Sequence, residues 1–163
     1  MADVTLADIL LARERIAPYV RRTPLMPAKG LKDQRFNDMD LTFKLELMQV
    51  MGSFKPRGAV NKLLSLSNEQ IQRGIVTASG GNHGLAVAYA GWLAKRPATV
   101  YLPTSTPQAK ADKLRQWGAK VVIEGSVWDE ANAAAIALAE REGLAYFHPF
   151  ADPVVIAGQG TLA

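Results

Sequence analysis

From residue 74 onward the chain alternates between two kinds of segment, and this alternation is what most limits the folds open to it. Four short runs are rich in β-branched, aromatic or other apolar residues: Ile75-Val76-Thr77-Ala78, Thr99-Val100-Tyr101-Leu102, Val121-Val122-Ile123 and Leu144-Ala145-Tyr146-Phe147. Three stretches with helical start and stop signals lie between them. The first begins at Asn82 and stops before Pro97. The second begins at Thr106-Pro107 and ends at Trp117-Gly118. The third opens on a Ser126-x-x-Asp129 capping box and closes at Gly143. Short strands alternating with helices predict βαβ crossovers, and so an α/β fold with an open parallel sheet and flanking helices. Right-handed crossovers place the turns after the strands along one sheet edge, where such folds bind ligands. The turn Ser79-Gly80-Gly81-Asn82-His83-Gly84 sits on that edge.

The first seventy residues are less regular. Thr5 and Asp8 form a capping box, with Leu6, Ile9, Leu10, Arg13 and Ile16 at helical spacing; Pro18 and Thr23-Pro24 end that helix. Gly30 to Asp40 is polar and loop-like. Leu41 to Leu47 alternates apolar and polar residues, which predicts a half-buried strand. A turn at Met51-Gly52-Ser53 precedes a helix with Pro56 near its start and Ala59, Val60, Leu63 and Leu64 on its inner face. The chain closes on Gly158-Gln159-Gly160-Thr161-Leu162-Ala163, which reads as the entry to a further element and predicts that this is the front portion of something longer.

Composition removes several function classes. With 163 residues, 48% apolar and 21% charged, the chain has enough apolar surface for a core and is not disordered as a whole. The uncharged run from Gly74 to Ala94 is broken by its polar glycine turn, and the remaining stretch, Gly81 to Ala94, is too short for the ~20 residues that cross a bilayer; Met1-Ala2-Asp3 does not begin a secretory signal. No membrane partner is expected. A chain without cysteine has no disulfide framework, thiolate nucleophile or thiolate metal site, and the expected location is the cytoplasm. Nineteen basic against fifteen acidic residues leave a net charge of +4, and no basic run is longer than a pair such as Arg21-Arg22 or Lys95-Arg96, so no nucleic-acid partner is expected. His83 and His148 are not spaced as metal ligands, and no metal is expected. A Gly-x-Ser-x-Gly elbow, a Walker loop and a dinucleotide fingerprint are all missing.

Two segments can carry chemistry. Lys55, in Ser53-Phe54-Lys55-Pro56-Arg57-Gly58, stands where a turn enters a helix. Unpaired N–H groups and the positive end of the helix dipole disfavour a nearby ammonium, and a neutral amine is the form that condenses with a carbonyl. A solvated lysine beside an ordinary helix start is the plainer alternative. In the glycine turn, bare backbone and a helix start suit a carboxylate or phosphate. The plainer alternative there is that Asn82 only caps the helix and the glycines only make the turn. For Trp92, Trp117 and Trp128 core packing is expected, and the alanine-rich stretch Ala131 to Ala139 is expected to lie on the sheet.

Together these segments resemble one family. Lys44-Leu45-Glu46-Leu47 followed by Gly52-Ser53-Phe54-Lys55-Pro56-Arg57-Gly58-Ala59 resembles the cofactor-lysine motif of fold-type II pyridoxal-phosphate enzymes, in the version of the threonine/serine dehydratase and serine racemase branch. Ser79-Gly80-Gly81-Asn82-His83-Gly84 is similar to that branch's Ser-x-Gly-Asn-His loop. Asp152 to Thr161 is similar to the segment by which such enzymes re-enter their large domain, and Thr23-Pro24-Leu25 also matches.

The resemblance implies a tryptophan synthase β-subunit-like fold whose large domain is incomplete here. Residues 1–68 would belong to that large cofactor domain, 69–150 would form the small α/β domain, and 151–163 would begin the return. A core cut open in this way would expose apolar surface. The implied cofactor is pyridoxal 5'-phosphate. Lys55 would join it as an imine and later serve as the base at the substrate's α-carbon. Phe54 would lie against the ring, and Asn82 would bond its phenolic oxygen. Ser79, Gly81, Asn82 and His83 would surround the substrate carboxylate. The implied reaction is that of an ammonia-lyase converting an L-threonine- or L-serine-type amino acid to a 2-oxo acid and ammonia, in a homo-oligomer, dimer or tetramer. An amino-acid racemase, or an incomplete fragment that at most binds a small anion, is the alternative. Racemases of the branch resemble Ser-Ser-Gly-Asn-His, and Gly80 replaces the second serine, which favours elimination. The family's phosphate loop and the residue facing the pyridine nitrogen would both lie downstream of Ala163.

Overall fold

The computed structural model describes residues 3–30, 32, 36 and 39–163. Met1-Ala2 and most of the Gly30–Asp40 stretch, which was expected to be a loop, lie outside the described residues.

Thr5 caps helix α1 (Leu6–Ile16) through the reciprocal box: Asp8 N–H donates to Thr5 Oγ1 at 3.3 Å, and Thr5 N–H donates to the Asp8 carboxylate at 2.9 Å. The buried stripe differs from the expected one. Ala12 and Ile16 are buried, whereas Leu6 is 70% exposed and Leu10 is also out in solvent. The helix meets its neighbours through small residues, and a Cβ on Gly160 would press on Ile9.

The strand expected over Leu41–Leu47 shrinks to β2 (Thr42–Lys44), paired antiparallel with β1 (Leu25–Pro27) in a ribbon exposed along most of its length. Burial runs against the alternation, since Lys44 and Glu46 are half-buried while Phe43 and Leu47 are exposed. The physical cause is the Glu46 carboxylate, which turns inward to Arg57 and Thr23 and draws the chain into a 3₁₀ turn over Glu46–Met48. A two-stranded ribbon also has no sheet to be buried against. Exposed large apolar side chains gather in this part of the chain, among them Leu6, Leu11, Leu25, Leu47 and Met48.

Helix α2 (Lys55–Ser65) opens with Pro in its first turn and buries Ala59, Val60 and Leu63; the short α3 (Asn68–Ile71) follows. The remainder is the α/β unit: β3 (Ile75–Ala78), α4 (Asn82–Ala94), β4 (Ala98–Leu102), α5 (Gln108–Gln116), β5 (Lys120–Ile123), α6 (Trp128–Glu142), β6 (Ala145–Tyr146) and α7 (Pro153–Gly160). The sheet is parallel throughout, in the order β5-β4-β3-β6. Alternate strand residues serve opposite faces. Ile75, Val100 and Leu102 pack with α2, α4 and α5, while Val76, Ala78 and Tyr101 pack against Ala131, Ala135 and Ala139 of α6. Burial on both faces accounts for the apolar runs of the central strands β3 and β4, whereas the edge strands β5 and β6 are only partly buried.

Two expectations fail within this unit. Ser126 does not pair with Asp129: α6 starts one turn position later, and Ser126 N–H and Oγ both donate to the Glu130 carboxylate, at 2.6 and 3.0 Å. None of the three tryptophans is fully buried, and only the half-buried Trp117 packs against the core. Trp92 is 61% exposed and lies with Trp117 around Tyr89, and the half-buried Trp128 donates from Nε1 to Ala78 O at 2.9 Å. A tryptophan keeps its N–H near a partner or near water, which a closely packed alanine-rich interior does not provide.

The strand order reverses at β3. β4 and β5 are laid down on one side of it and β6 on the other, so the loops that leave β3 and β6 diverge at a switch point, where open α/β sheets form ligand crevices.

Candidate functional site

Three elements meet at that switch point: the start of α2, the glycine turn after β3, and the loop 147–151 after β6. Phe54 and Pro56 set the start of α2 and place Lys55 as its first residue. The Lys55 side chain reaches the β6 loop, and its Nζ donates to Pro149 O at 2.9 Å. Among the described residues that carbonyl is its hydrogen-bond partner. Burial pushes the amine below the ordinary lysine range. The Phe54 ring, itself partly exposed, lies with its centroid 5.3 Å from Nζ.

The helix start is secured two residues further on. Arg57 Nε and Nη2 grip the Glu46 carboxylate at 2.8 Å each, and Nη1 reaches Thr161 Oγ1 at 3.3 Å. Burial raises the Glu46 pKa, but bonds to Arg57 and Thr23 and the charges of Arg57 and Lys44 outweigh it and hold the carboxyl below its usual range.

The glycine turn is closed from beneath and open above. A Cβ on Gly84 would fall 2.0 Å from Ser79 O, so only glycine lets α4 begin directly under the turn. A Cβ on Gly81 would meet nothing nearer than Ser79 Oγ at 4.0 Å. Gly81 N–H donates to that hydroxyl at 3.3 Å. Asn82 is not the cap of α4. Gly81 holds the cap position without a side-chain bond, and the exposed Asn82 amide has no hydrogen-bond partner among the described residues. Capping therefore does not account for Asn82.

The His83 side chain points inward. Its ring is 2% exposed and turned into the interior, where Nε2 lies 3.2 Å from Phe147 O. A carbonyl only accepts, so Nε2 carries the hydrogen and Nδ1 is bare, buried and without a partner. Burial, reinforced by the charges of Lys55 and His148, lowers its pKa to about 4 against the opposing Phe147 bond and Asp152. Only the backbone of His83 can serve a ligand at this edge.

Sequence reasoning did not single out the β6 loop. Phe147 O accepts from Thr77 Oγ1 at 2.7 Å as well as from His83, so the glycine turn and the Lys55 amine are tied to the same three residues, 147–149. The available signal was position, since His148-Pro149 follows the last β-rich run at the same sheet edge.

The family model described as pyridoxal-phosphate dependent enzyme matches residues 16–163, nearly the whole of this arrangement. The chain belongs to the pyridoxal-phosphate-dependent enzyme family. An L-threonine ammonia-lyase from Thermotoga maritima is 43% identical over 159 residues, covering 98% of this chain and 39% of that protein. A catabolic L-threonine dehydratase from Staphylococcus aureus is 42% identical, covering 98% of this chain and 46% of that protein. The chain thus spans less than half the length of these curated relatives. Among solved structures, threonine deaminase isoform 2 from Solanum lycopersicum superposes with a TM-score of 0.87 at 42% identity, over 96% of this chain and 42% of that one. Maize serine racemase does so with a TM-score of 0.86 at 35% identity, over 99% and 48%.

The residues present fit the family's cofactor. A partly buried amine held by a neutral carbonyl suits an aldehyde, the free Asn82 amide can bond a ring substituent, and the space above Gly81 is open. The buried Ser53 hydroxyl, two residues before the lysine, is also without a partner.

Proposed function

We propose that this chain carries the lysine and glycine-turn part of an ammonia-lyase that converts a small β-hydroxy amino acid, L-threonine or L-serine in type, to a 2-oxo acid and ammonia. The observation that carries this reading is the Lys55 amine, partly buried at the switch point with the Pro149 carbonyl as its acceptor. Lys55 Nζ is the attachment point for pyridoxal 5'-phosphate, Phe54 lies beside its ring, and Asn82 bonds its phenolic oxygen. When bound, the cofactor supplies an electron sink that acidifies the substrate's α-hydrogen. Lys55 Nζ takes that proton. The backbone N–H groups at the turn, with Ser79, Gly81, Asn82 and His83 around them, hold the substrate carboxylate at a helix start, where anions are favoured. Loss of the β-hydroxyl as water, and the return of one water on hydrolysis, gives the 2-oxo acid and ammonia.

Gly80 supports elimination over the second reading, racemisation, which the 35% identity with maize serine racemase brings forward. Racemisation needs a proton carrier on the opposite face, and Gly80 has none. A Cβ there would already meet Thr106 at 3.0 and 3.2 Å, so a serine would need Thr106 to move.

The packing of α7 on α1 and α2 supports grouping 151–163 with 1–68 as one cofactor domain beside a smaller domain, 69–150. No helix among the described residues is long and apolar enough to cross a membrane. Placement in the cytoplasm and a homo-oligomeric state complete the proposal.

The test is release of 2-oxo acid from L-threonine and L-serine, with chiral chromatography of the remaining amino acid. Lys55→Ala abolishes release; undiminished turnover in that variant ends the reading, and D-serine formed without pyruvate replaces it with the racemase.

A further inference from the structure

Helix α2 fixes the Cα of Lys55, but four rotatable side-chain bonds separate that atom from the amine. The position of Nζ is therefore set by its acceptor, Pro149 O. A proline has no N–H with which to tie itself down, so its carbonyl goes where its neighbours hold it. On one side the hold is Phe147, whose N–H donates to Val76 O at 2.8 Å and whose carbonyl takes Thr77 and His83. On the other side it is a side chain. His148 Nδ1 accepts from Phe150 N–H at 3.2 Å and from Ala151 N–H at 2.9 Å, closing a tight loop around Pro149. This is the arrangement an aspartate or asparagine oxygen makes in an Asx turn, with a ring nitrogen in its place.

We propose that His148 is a positioning residue for Lys55: its bare Nδ1 gathers the amides of Phe150 and Ala151 into the turn that presents the Pro149 carbonyl to the amine. The proposal rests on the reading of Lys55 as the cofactor-bearing lysine. The imidazole is itself held in an aromatic setting, with Phe150 edge-on at 4.6 Å, Tyr146 at 6.0 Å and Trp128 at 6.3 Å between ring centroids. It is suited to the task only while neutral, since protonation fills Nδ1 and removes the acceptor from both amides. Burial holds its pKa below the usual histidine range, with Asp152 opposing. The ionisable groups around it are Asp152, paired with Lys62 at 2.8 Å, together with Lys55, His83 and the Tyr146 hydroxyl, which is bonded to Asn132. Near neutral pH the turn is closed and the amine is covered; in acid the turn loses its pin.

The test needs no cofactor. The lysines are trace-labelled with an acylating reagent across a pH series, and mass spectrometry compares Lys55 with the exposed Lys113 and Lys120 in the parent, His148→Ala and His148→Asn chains. In His148→Ala the freed turn lets water reach the amine, its pKa rises toward the ordinary value, and relative labelling at about pH 7.5 falls roughly three- to tenfold. In His148→Asn the Oδ1 atom accepts the same amides, and labelling stays within about twofold of the parent. Below about pH 6 the parent's log rate falls more steeply than a single protonation allows, and His148→Asn loses that excess. Thermal midpoints report folding; if His148→Ala unfolds, the slope difference between the parent and His148→Asn decides. Parent-like labelling in a folded His148→Ala chain, or an unchanged acid slope in His148→Asn, overturns the proposal. Adding pyridoxal phosphate to the parent separates the two layers. Absence of a borohydride-reducible visible band at Lys55 ends the cofactor reading and leaves the labelling result standing.

Discussion

The loops that leave the neighbouring strands β3 and β6 are built on opposite plans. The loop after β6 is saturated with bonds: Phe147 takes two donors on its carbonyl, His148 takes two amides, and Pro149 takes the lysine. The glycine turn after β3 has a closely fitted base at Gly84 and leaves its upper surface undecorated, with the Asn82 amide unpaired among the described residues. One loop is tied down by the protein's own groups, and the other keeps a polar side chain with no partner among the described residues. The unpaired Asn82 amide beside a densely bonded neighbour thus supports the proposed ligand face better than polarity as such.

That contrast is open to experiment at four points, from the largest effect to the smallest. Gly84→Ala strikes the base of the glycine turn, where a methyl would sit 2.0 Å from Ser79 O. It costs about 3 kcal/mol in denaturant unfolding, and an unchanged midpoint would mean the turn is not tightly seated. Acid comes next. His83 is held below its unfolded value of 6.5, to about 4. The folded state therefore binds fewer protons, so stability is full above about pH 6.5 and drains away as pH falls toward 4. His83→Gln flattens that part of a stability-against-pH curve. Thr77→Val removes one of the two donors to Phe147 O and leaves His83 in place, for about 1 kcal/mol in the same assay. Asn82→Ala leaves the thermal midpoint where it was and weakens pyridoxal phosphate binding roughly fivefold, about 1 kcal/mol, by absorbance titration. A large stability loss there would show that Asn82 serves the fold.

The parts legible in the sequence are those whose cause is local. The four strands fall within a residue or so of their expected runs; in the central β3 and β4 the cause is burial on both faces, which leaves an unbroken apolar signature. Lys55 and the glycine turn were visible because a proline and the glycines mark the helix starts they stand on. Errors arise where a partner that the local pattern does not mark intervenes. Arg57 and Thr23 bend the chain at Glu46 and truncate β2, and Glu130 outcompetes Asp129 for Ser126. The role of Thr77 had no local mark, since it depends on β6 lying beside β3.

That pairing also sets an order of events. Lys55 and its acceptor are 94 positions apart, and Thr77 and Phe147 are 70 apart. Closing spans of that length is entropically costly and comes late in folding, after local helices have formed. The Lys55 amine is therefore seated only once β6 lies beside β3; before that pairing forms it is an ordinary mobile lysine side chain.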